Sequence, residues 1–402
     1  MRVTGKIIIL LLLLFCFGLG LMAQDNGPIH YSPLKKLIPS GTIPKGVKIS
    51  RSNNNMDLIK FEGRYYMAFR TAPHHFPNKR VRMYILSSND MQNWQLEQEI
   101  FMGSDLREPR FLNFQDKLFL YFFQGGGSPF KFDPQHVWAC ARDSAQSWST
   151  HQLANLDGFV PWRVKVFNGK AYLSAYFGKG LYTSGHKADL RLFSSVDGRN
   201  WQPIHQNPQV AMHGAEEGEF EFDCSGNLWA TVRLEGKGAY IAYADKDSLY
   251  NWQLFPCNDK YDSALMFTHD DDIYLISRRN HDGSNFAKAP KWMPYALAQK
   301  FNLVSYSFSK KVTALFKLDK NQKLLTHVLD FPSTGDNSFP AIVGISDSSY
   351  IMLNYSSDIE GRKKTWFIGQ LGKTYIYLTE IMFNKNKSFG MPSERNRQKK
   401  EH

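Results

Sequence analysis

Short apolar runs alternate with polar residues along this chain, and the runs come in pairs around tight polar turns. The pairs are MDLIKFEGRYYMAFR (56–70), REPRFLNFQDKLFLYFFQ (107–124), VPWRVKVFNGKAYLSAYF (160–177), EGEFEFDCSGNLWATVR (217–233), DSALMFTHDDDIYLISRR (262–279) and NSFPAIVGISDSSYIMLNYS (337–356). Each predicts two antiparallel strands. The turns between them are Glu62-Gly63, Gln115-Asp116, Asn168-Gly169, Gly226-Asn227, Asp270-Asp271 and Asp347-Ser348. Asn-Gly is a strong hairpin signal because both residues accept positive φ. In four units a second half follows and ends on a Trp: RMYILSSNDMQNW at Trp94, VWACARDSAQSW at Trp148, LRLFSSVDGRNW at Trp201 and YIAYADKDSLYNW at Trp252. Looser versions are expected around VSYSFSKK and TYIYLTEI.

Four strands repeated six times predict an all-β, six-bladed β-propeller with four antiparallel strands per blade. No long amphipathic helix pattern competes, and no linker divides residues 24–383, which read as one domain. The Pro/Gly-rich lead-in YSPLKKLIPSGTIPKG is placed to supply a closing strand. Long inserts at Gln124 to His136, Gly178 to Asp189 and Asn280 to Lys300 are expected to wall a pocket, the last as a lid.

Residues 1–23 change the picture from fold to address. Arg2 and Lys6 precede an apolar run, Ile7 to Met22, and a small-residue context before Gln24. That is the pattern of a cleaved signal peptide. The run is short for a membrane span and no second one follows, so the expectation is a secreted or periplasmic protein of bacterial type, with no stable membrane insertion after cleavage. A lipoprotein reading is weaker, because bulky Phe15 precedes Cys16 inside the apolar run. The net charge of +12 is partly carried by the basic tail 384–402, read as a flexible end. Neither a clustered basic stripe nor a nucleic-acid motif is present. Cys140, Cys224 and Cys257 show no metal-ligand spacing. Cys140 and Cys224 read as buried small hydrophobes, with a Cys224–Cys257 disulfide left open. Neither a metal nor an organic cofactor is implied.

In a propeller the first strand of each blade lines the channel, so first-strand starts and second-strand ends gather at one mouth. That mouth should receive Asp57 and Arg70, Arg107 and Gln124, Arg163, Glu217 and Arg233, Asp262 and Arg278 or Arg279, and Asn337 and Tyr355. Buried groups of this kind must pair or meet a ligand. Mutual ion pairs are the structural alternative for any one of them. The whole set points to an anionic or sugar ligand. Trp162, Tyr176, Phe177 and Tyr182 would suit sugar stacking.

The hairpins, the Trp turns and the order of these residues resemble the sialidase superfamily of glycoside hydrolases. SSVDGRNW and SSNDMQNW are similar to degenerate Asp boxes, which are structural turn staples. The resemblance implies that Glu217 acts as base to a nucleophilic Tyr355 and that Arg233 with Arg278 or Arg279 clamps a substrate carboxylate. The chain departs from that pattern at Asp57, which stands where the family opens blade one with Arg; Arg51 or Arg70 would have to replace it. The loop RTAPHHFPNKR lacks the family's acid/base Asp, leaving His74 or His75 as proton donor. An Asp57/Glu217 carboxylate pair, with Asp262 as a third candidate, would give ordinary glycoside hydrolysis, as in the arabinanase-like hydrolases that the first unit also resembles. The opposing reading is a non-catalytic propeller that binds a glycan or a protein at the same mouth.

Overall fold

The computed structural model describes residues 28–384 except 129–130, 143–146, 179–187 and 287, so Tyr182, the leader and the basic tail lie outside it. The six paired runs fold as the six inner hairpins. They turn at Glu62-Gly63, Gln115-Asp116, Asn168-Gly169, Asp270-Asp271 and Asp347-Ser348. In the fourth, Asp223 closes the turn by accepting from the amides of Ser225 and Asn227. Sheets of four strands follow in order: Ser52–Phe61 to Trp94–Ile100, Asp105–Phe114 to Gln152–Leu153, Phe159–Phe167 to Gln202–Pro203, Ala215–Phe222 to Gln253–Cys257, and Asp262–His269 to Leu324–Phe331. Val210–Met212 adds to the third strand of blade three.

The sixth blade closes the ring. Its strands Asn337–Ser346, Ser349–Ser356 and Tyr375–Phe383 come from the end of the chain, and the lead-in supplies the edge. Ile29–Tyr31 and Lys35–Ile38 both pair with Tyr375–Phe383. Joining the two ends of the chain in one sheet removes the open edge and makes opening of the ring cost a full strand of hydrogen bonds.

Blade five departs from the expected pattern. VSYSFSKK is not a strand: Val304 to Ser307 end a helix, Tyr295–Ser307, and the third strand is Lys311–Asp319. Pro294 opens the helix, and the segment that follows, ALAQKFNLV, is rich in helix formers. Among the described residues no helix is long and apolar enough to cross a membrane. The three cysteines are free, so the Cys224–Cys257 bridge is not formed; Cys140 is buried as expected, whereas Cys224 is exposed at a hairpin turn.

The two Asp-box-like turns share one set of hydrogen bonds. Ser195 Oγ donates to Asp197, whose carboxylate also accepts from the amides of Arg199 and Asn200 and from the Asn200 side chain. Ser88, Asp90, Gln92 and Asn93 repeat this in blade one. Both turns join third to fourth strands, at the face opposite the mouth. They therefore stabilise the blades without touching the site. Asp197→Ala should lower unfolding stability by ~1–2 kcal/mol, through three lost amide partners, while leaving ligand binding at the mouth unchanged. The urea midpoint checks this; an unchanged midpoint would remove the turn's structural role.

Candidate functional site at the channel mouth

Each innermost strand slips register once near the mouth, between Asn54 and Met56, Arg107 and Arg110, Pro161 and Arg163, Glu216 and Glu219, Asp262 and Leu265, and Ser338 and Ala341. In five blades the slip holds a non-glycine residue at positive φ: Asn55 (41°), Glu108 (52°), Glu217 (49°), Ser263 (54°), and Ser338 (92°) with Phe339 (49°). Left-handed backbone at such residues costs about 1–2 kcal/mol each. A bulge re-aims one side chain out of the ladder. Here the re-aimed residues form a ring at one level, with Trp162 as the blade-three member. Phe339 crosses the axis and meets Trp162 of the opposite blade at 5.5 Å between ring centres.

One charge cluster spans blades four and five. Arg233 contacts Glu216 at 2.8 Å, Glu235 at 2.9 Å and Asp262 at 3.4 Å, and it donates to Glu217. Lys260 contacts Glu235 at 2.8 Å and Asp262 at 3.6 Å, and Arg278 reaches Asp262 at 3.6 Å. Three cations thus face four carboxyls, and one carboxyl does not need to ionise. Burial pushes Glu216 up to about 8, with Arg233 opposing. Asp262 is held well below the usual range, because Lys260, Arg233 and Arg278 outweigh its burial. Glu217 is raised by burial despite Arg233, and its other oxygen accepts the Ser263 amide at 2.7 Å.

A second cluster joins blades one, two and six. Arg70 donates to Asp105 at 2.8 Å, to Asn54 and to the Phe76 carbonyl. Arg107 donates to Asp105 and to the His75 carbonyl. His75 Nδ1 lies 2.7 Å from Asp336 Oδ2, and the Tyr355 hydroxyl donates to Asp336 Oδ1 at 2.9 Å. Burial keeps the His75 imidazole below its ordinary value, with Asp336 opposing. Asp336 stays ionised, because His75, Arg278 and the Tyr355 hydroxyl together outweigh its burial. A neutral His75 that gives Nδ1–H to Asp336 presents Nε2 as a base.

Between the clusters lies Glu108. It accepts from Asn55 at 3.0 Å and from Arg110 at 2.9 Å. Burial pushes its carboxyl up to about 7, Arg110 opposes, and the charge of Glu217 adds to the rise. Asp57 is raised by burial, against Arg163 and Arg110, and accepts the Phe111 amide at 2.7 Å, which ties blade one to blade two. Arg163 donates to Glu219 at 2.7 Å. Asn55 Oδ1, Trp162 Nε1 and Ser338 Oγ are buried ring atoms with no hydrogen-bond partner among the described residues.

Several expected contacts form and others do not. Glu217 and Arg233 meet, and Asp262 and Arg278 join them. Arg279 instead points into its own blade, where it pairs with Asp330 at 2.7 Å on the outer strand. The implied Glu217–Tyr355 couple is absent: Tyr355 is fully buried and its hydroxyl belongs to Asp336. The clamp of free arginines is also absent, since Arg70, Arg163, Arg233 and Arg278 are engaged by protein acceptors. Trp162 and Tyr176 are buried among the blades. Sequence reasoning passed over Glu108 and Asp336. The first stood in REPR beside a highlighted arginine, and only the bulge brings it to the axis.

Two short helices roof blades five and six at the mouth. Tyr306, in the helix Tyr295–Ser307, donates its hydroxyl to Asp262, and its ring lies 3.1 Å from Lys311 Nζ. Burial lowers Lys311 to about 6. The second helix, Trp366–Gln370, lies over Asp336. A Cβ on Gly369 would meet the Asp336 amide at 2.0 Å, so only glycine lets this helix approach so closely. A cavity of about 660 Å³ lined by His269, Asp270, Tyr274 and Phe383 lies at the opposite, turn face, away from all of these groups.

No protein-family model and no curated protein matches the chain. Solved structures do resemble it in fold. A protein of unknown function from Dyadobacter fermentans superposes with a TM-score of 0.62 at 13% identity, covering 89% of this chain and 100% of that one. The sialidase of Trypanosoma rangeli superposes with a TM-score of 0.58 at 11% identity, covering 84% of this chain; this chain spans 55% of the sialidase. A family 117 glycoside hydrolase of Zobellia galactanivorans overlaps more loosely, with a TM-score of 0.44 at 16% identity over 64% of this chain and 86% of that one. The six-bladed architecture is thus the one seen in a sialidase, and the likeness is one of fold.

Proposed function

We propose that the protein is a glycoside hydrolase acting on a neutral glycan end at the channel mouth, with Glu108 and Glu217 as its carboxyl pair. The carrying observation is their placement. Both sit on left-handed bulge residues, on blades two and four, and the charge of Glu217 acts on Glu108. Two buried carboxyls at one mouth, both raised by burial, supply the acid and its partner that glycoside hydrolysis needs. Glu108, pushed to about 7, is the proton donor to the leaving oxygen. Glu217, raised by burial with Arg233 and the Ser263 amide opposing, is assigned as its partner on the other side of the sugar. The unpaired Asn55 Oδ1 and Ser338 Oγ are assigned to sugar hydroxyls. Neutral sugar is favoured over sialoside because the mouth arginines already spend their charge on protein carboxylates. The His75–Asp336 pair supports a second reading, in which His75 Nε2 activates the water.

Hydrolysis of an aryl-glycoside panel, sialoside included, tests this. Neutral-glycoside turnover should fall about 10³-fold or more in Glu108→Gln and Glu217→Gln, with smaller loss in Asp57→Asn. Folded variants that keep full turnover would sink the pair. Loss in His75→Ala with retention in Glu217→Gln would move the base to His75. Sialoside cleavage would overturn the neutral-sugar assignment, and glycan-array binding without turnover would support the binding propeller.

The pH dependence has a definite sign. Activity needs Glu108 protonated, so kcat should fall as pH rises through about 7, and the fall should vanish in any residual activity of Glu108→Gln. Stability follows the same group. A carboxyl raised from 4.5 to about 7 on folding contributes stability that is complete below 4.5 and is lost as pH climbs through about 7, up to ~3 kcal/mol. Chemical denaturation from pH 4 to 8 should therefore show a flatter slope in Glu108→Gln than in the wild type. Equal slopes would show that folding does not raise the Glu108 carboxyl above its ordinary value.

A further inference from the structure

The helix Tyr295–Ser307 is turned inside out for a soluble protein. Two of its polar residues face inward: Asn302 is buried and accepts from the amides of Lys288 and Ala289, and Tyr306 reaches Asp262. Its apolar stripe faces solvent, with Leu297 57% exposed, Phe301 45%, Val304 59% and Phe308 58%, at spacings of four, three and four. Those spacings place them on one face. Trp292, just before the helix, is 80% exposed. Phe308 touches Phe367 at 5.6 Å between ring centres, and Phe367 and Ile368 carry the patch onto the second mouth helix. A continuous apolar face of this kind marks a docking surface.

Charge tells what it docks against. Residues 283–311 and 361–374, which build this face, contain Lys288, Lys291, Lys300, Lys310, Lys311, Arg362, Lys363, Lys364 and Lys373, and no Asp or Glu. Lys291, Lys300, Lys310, Arg362, Lys363 and Lys373 are exposed. A second copy of the chain meeting this face through its own would bring two lysine-rich rims together, which like-charge repulsion opposes. The described ends of the chain do not reach it: Asn384 bonds to Pro28 at the opposite face. We propose that this face docks peripherally on an anionic lipid surface. Trp292, Leu297, Phe301 and Val304 enter the headgroup boundary, and the flanking lysines meet the lipid charge. The two helices that carry the patch lie at the same end of the blades as Glu108 and Glu217, so the glycan site proposed above would sit on the membrane-facing side.

Flotation of the protein with phosphatidylglycerol/phosphatidylcholine vesicles, against pure phosphatidylcholine, tests this independently of hydrolysis. Binding should be about tenfold or more stronger on the anionic vesicles and should weaken at high salt. Phe301→Ser/Val304→Ser should cut it about tenfold or more, and Lys300→Glu about fivefold or more. Glu108→Gln should bind like the wild type, which separates this from the failure of the hydrolase reading. No preference for anionic vesicles would overturn the proposal. So would self-association in light scattering abolished by the same serine variant, or binding that this variant leaves intact while its thermal unfolding is unchanged.

Discussion

Charge compensation around the axis is the constraint on which the rest of this molecule depends. A propeller brings six strand starts to one mouth, and this sequence places Arg or Lys, Asp or Glu on most of them. Charges this close and this buried survive only in pairs with good geometry. The blades are therefore joined by polar contacts where other propellers could rely on packing. Asp57 takes an amide from blade two, Glu217 and Glu219 take amides from blade five, and Arg278 donates to the Asn337 carbonyl of blade six.

The pairing is uneven, and the unevenness is what gives the mouth chemistry. Around Arg233 there is one carboxyl too many, and burial pushes Glu216 up with Arg233 opposing. Around Arg110 the burial of Glu108 outweighs a single guanidinium, and the nearby charge of Glu217 adds to the effect. Two carboxyls poised differently at one site are the prerequisite for acid–base work at neutral pH. The same bookkeeping removes the arginines from service as a clamp for an acidic sugar.

Much of the architecture was legible in the chain. Strand pairs alternate with period two, and five of the six turn dipeptides fall between the paired strands while the sixth lies in the turn closed by Asp223. The Asp-box-like turns behave as local hydrogen-bonded units, because Ser, Asp and Asn two or three residues apart need only one another. The helix at 295–307 was missed because Val304, Tyr306 and Phe308 alternate with serines as in a strand, and because its exposed stripe contradicts the rule that apolar faces turn inward.

The sequence by itself determined which strand ends meet at the mouth, since blade period and hairpin direction fix that much. It placed Glu217 beside Arg233, and Asp262 near Arg278 or Arg279. What only the tertiary structure decided is which of these groups are free. Partner choice depends on bulges that re-aim one residue per blade, and on contacts between blades far apart in sequence, such as Tyr355 and His75 converging on Asp336. A register slip of one residue exchanges the face to which a side chain points. The same residues can thus form either a substrate clamp or a closed network of ion pairs, and the bulges select the network.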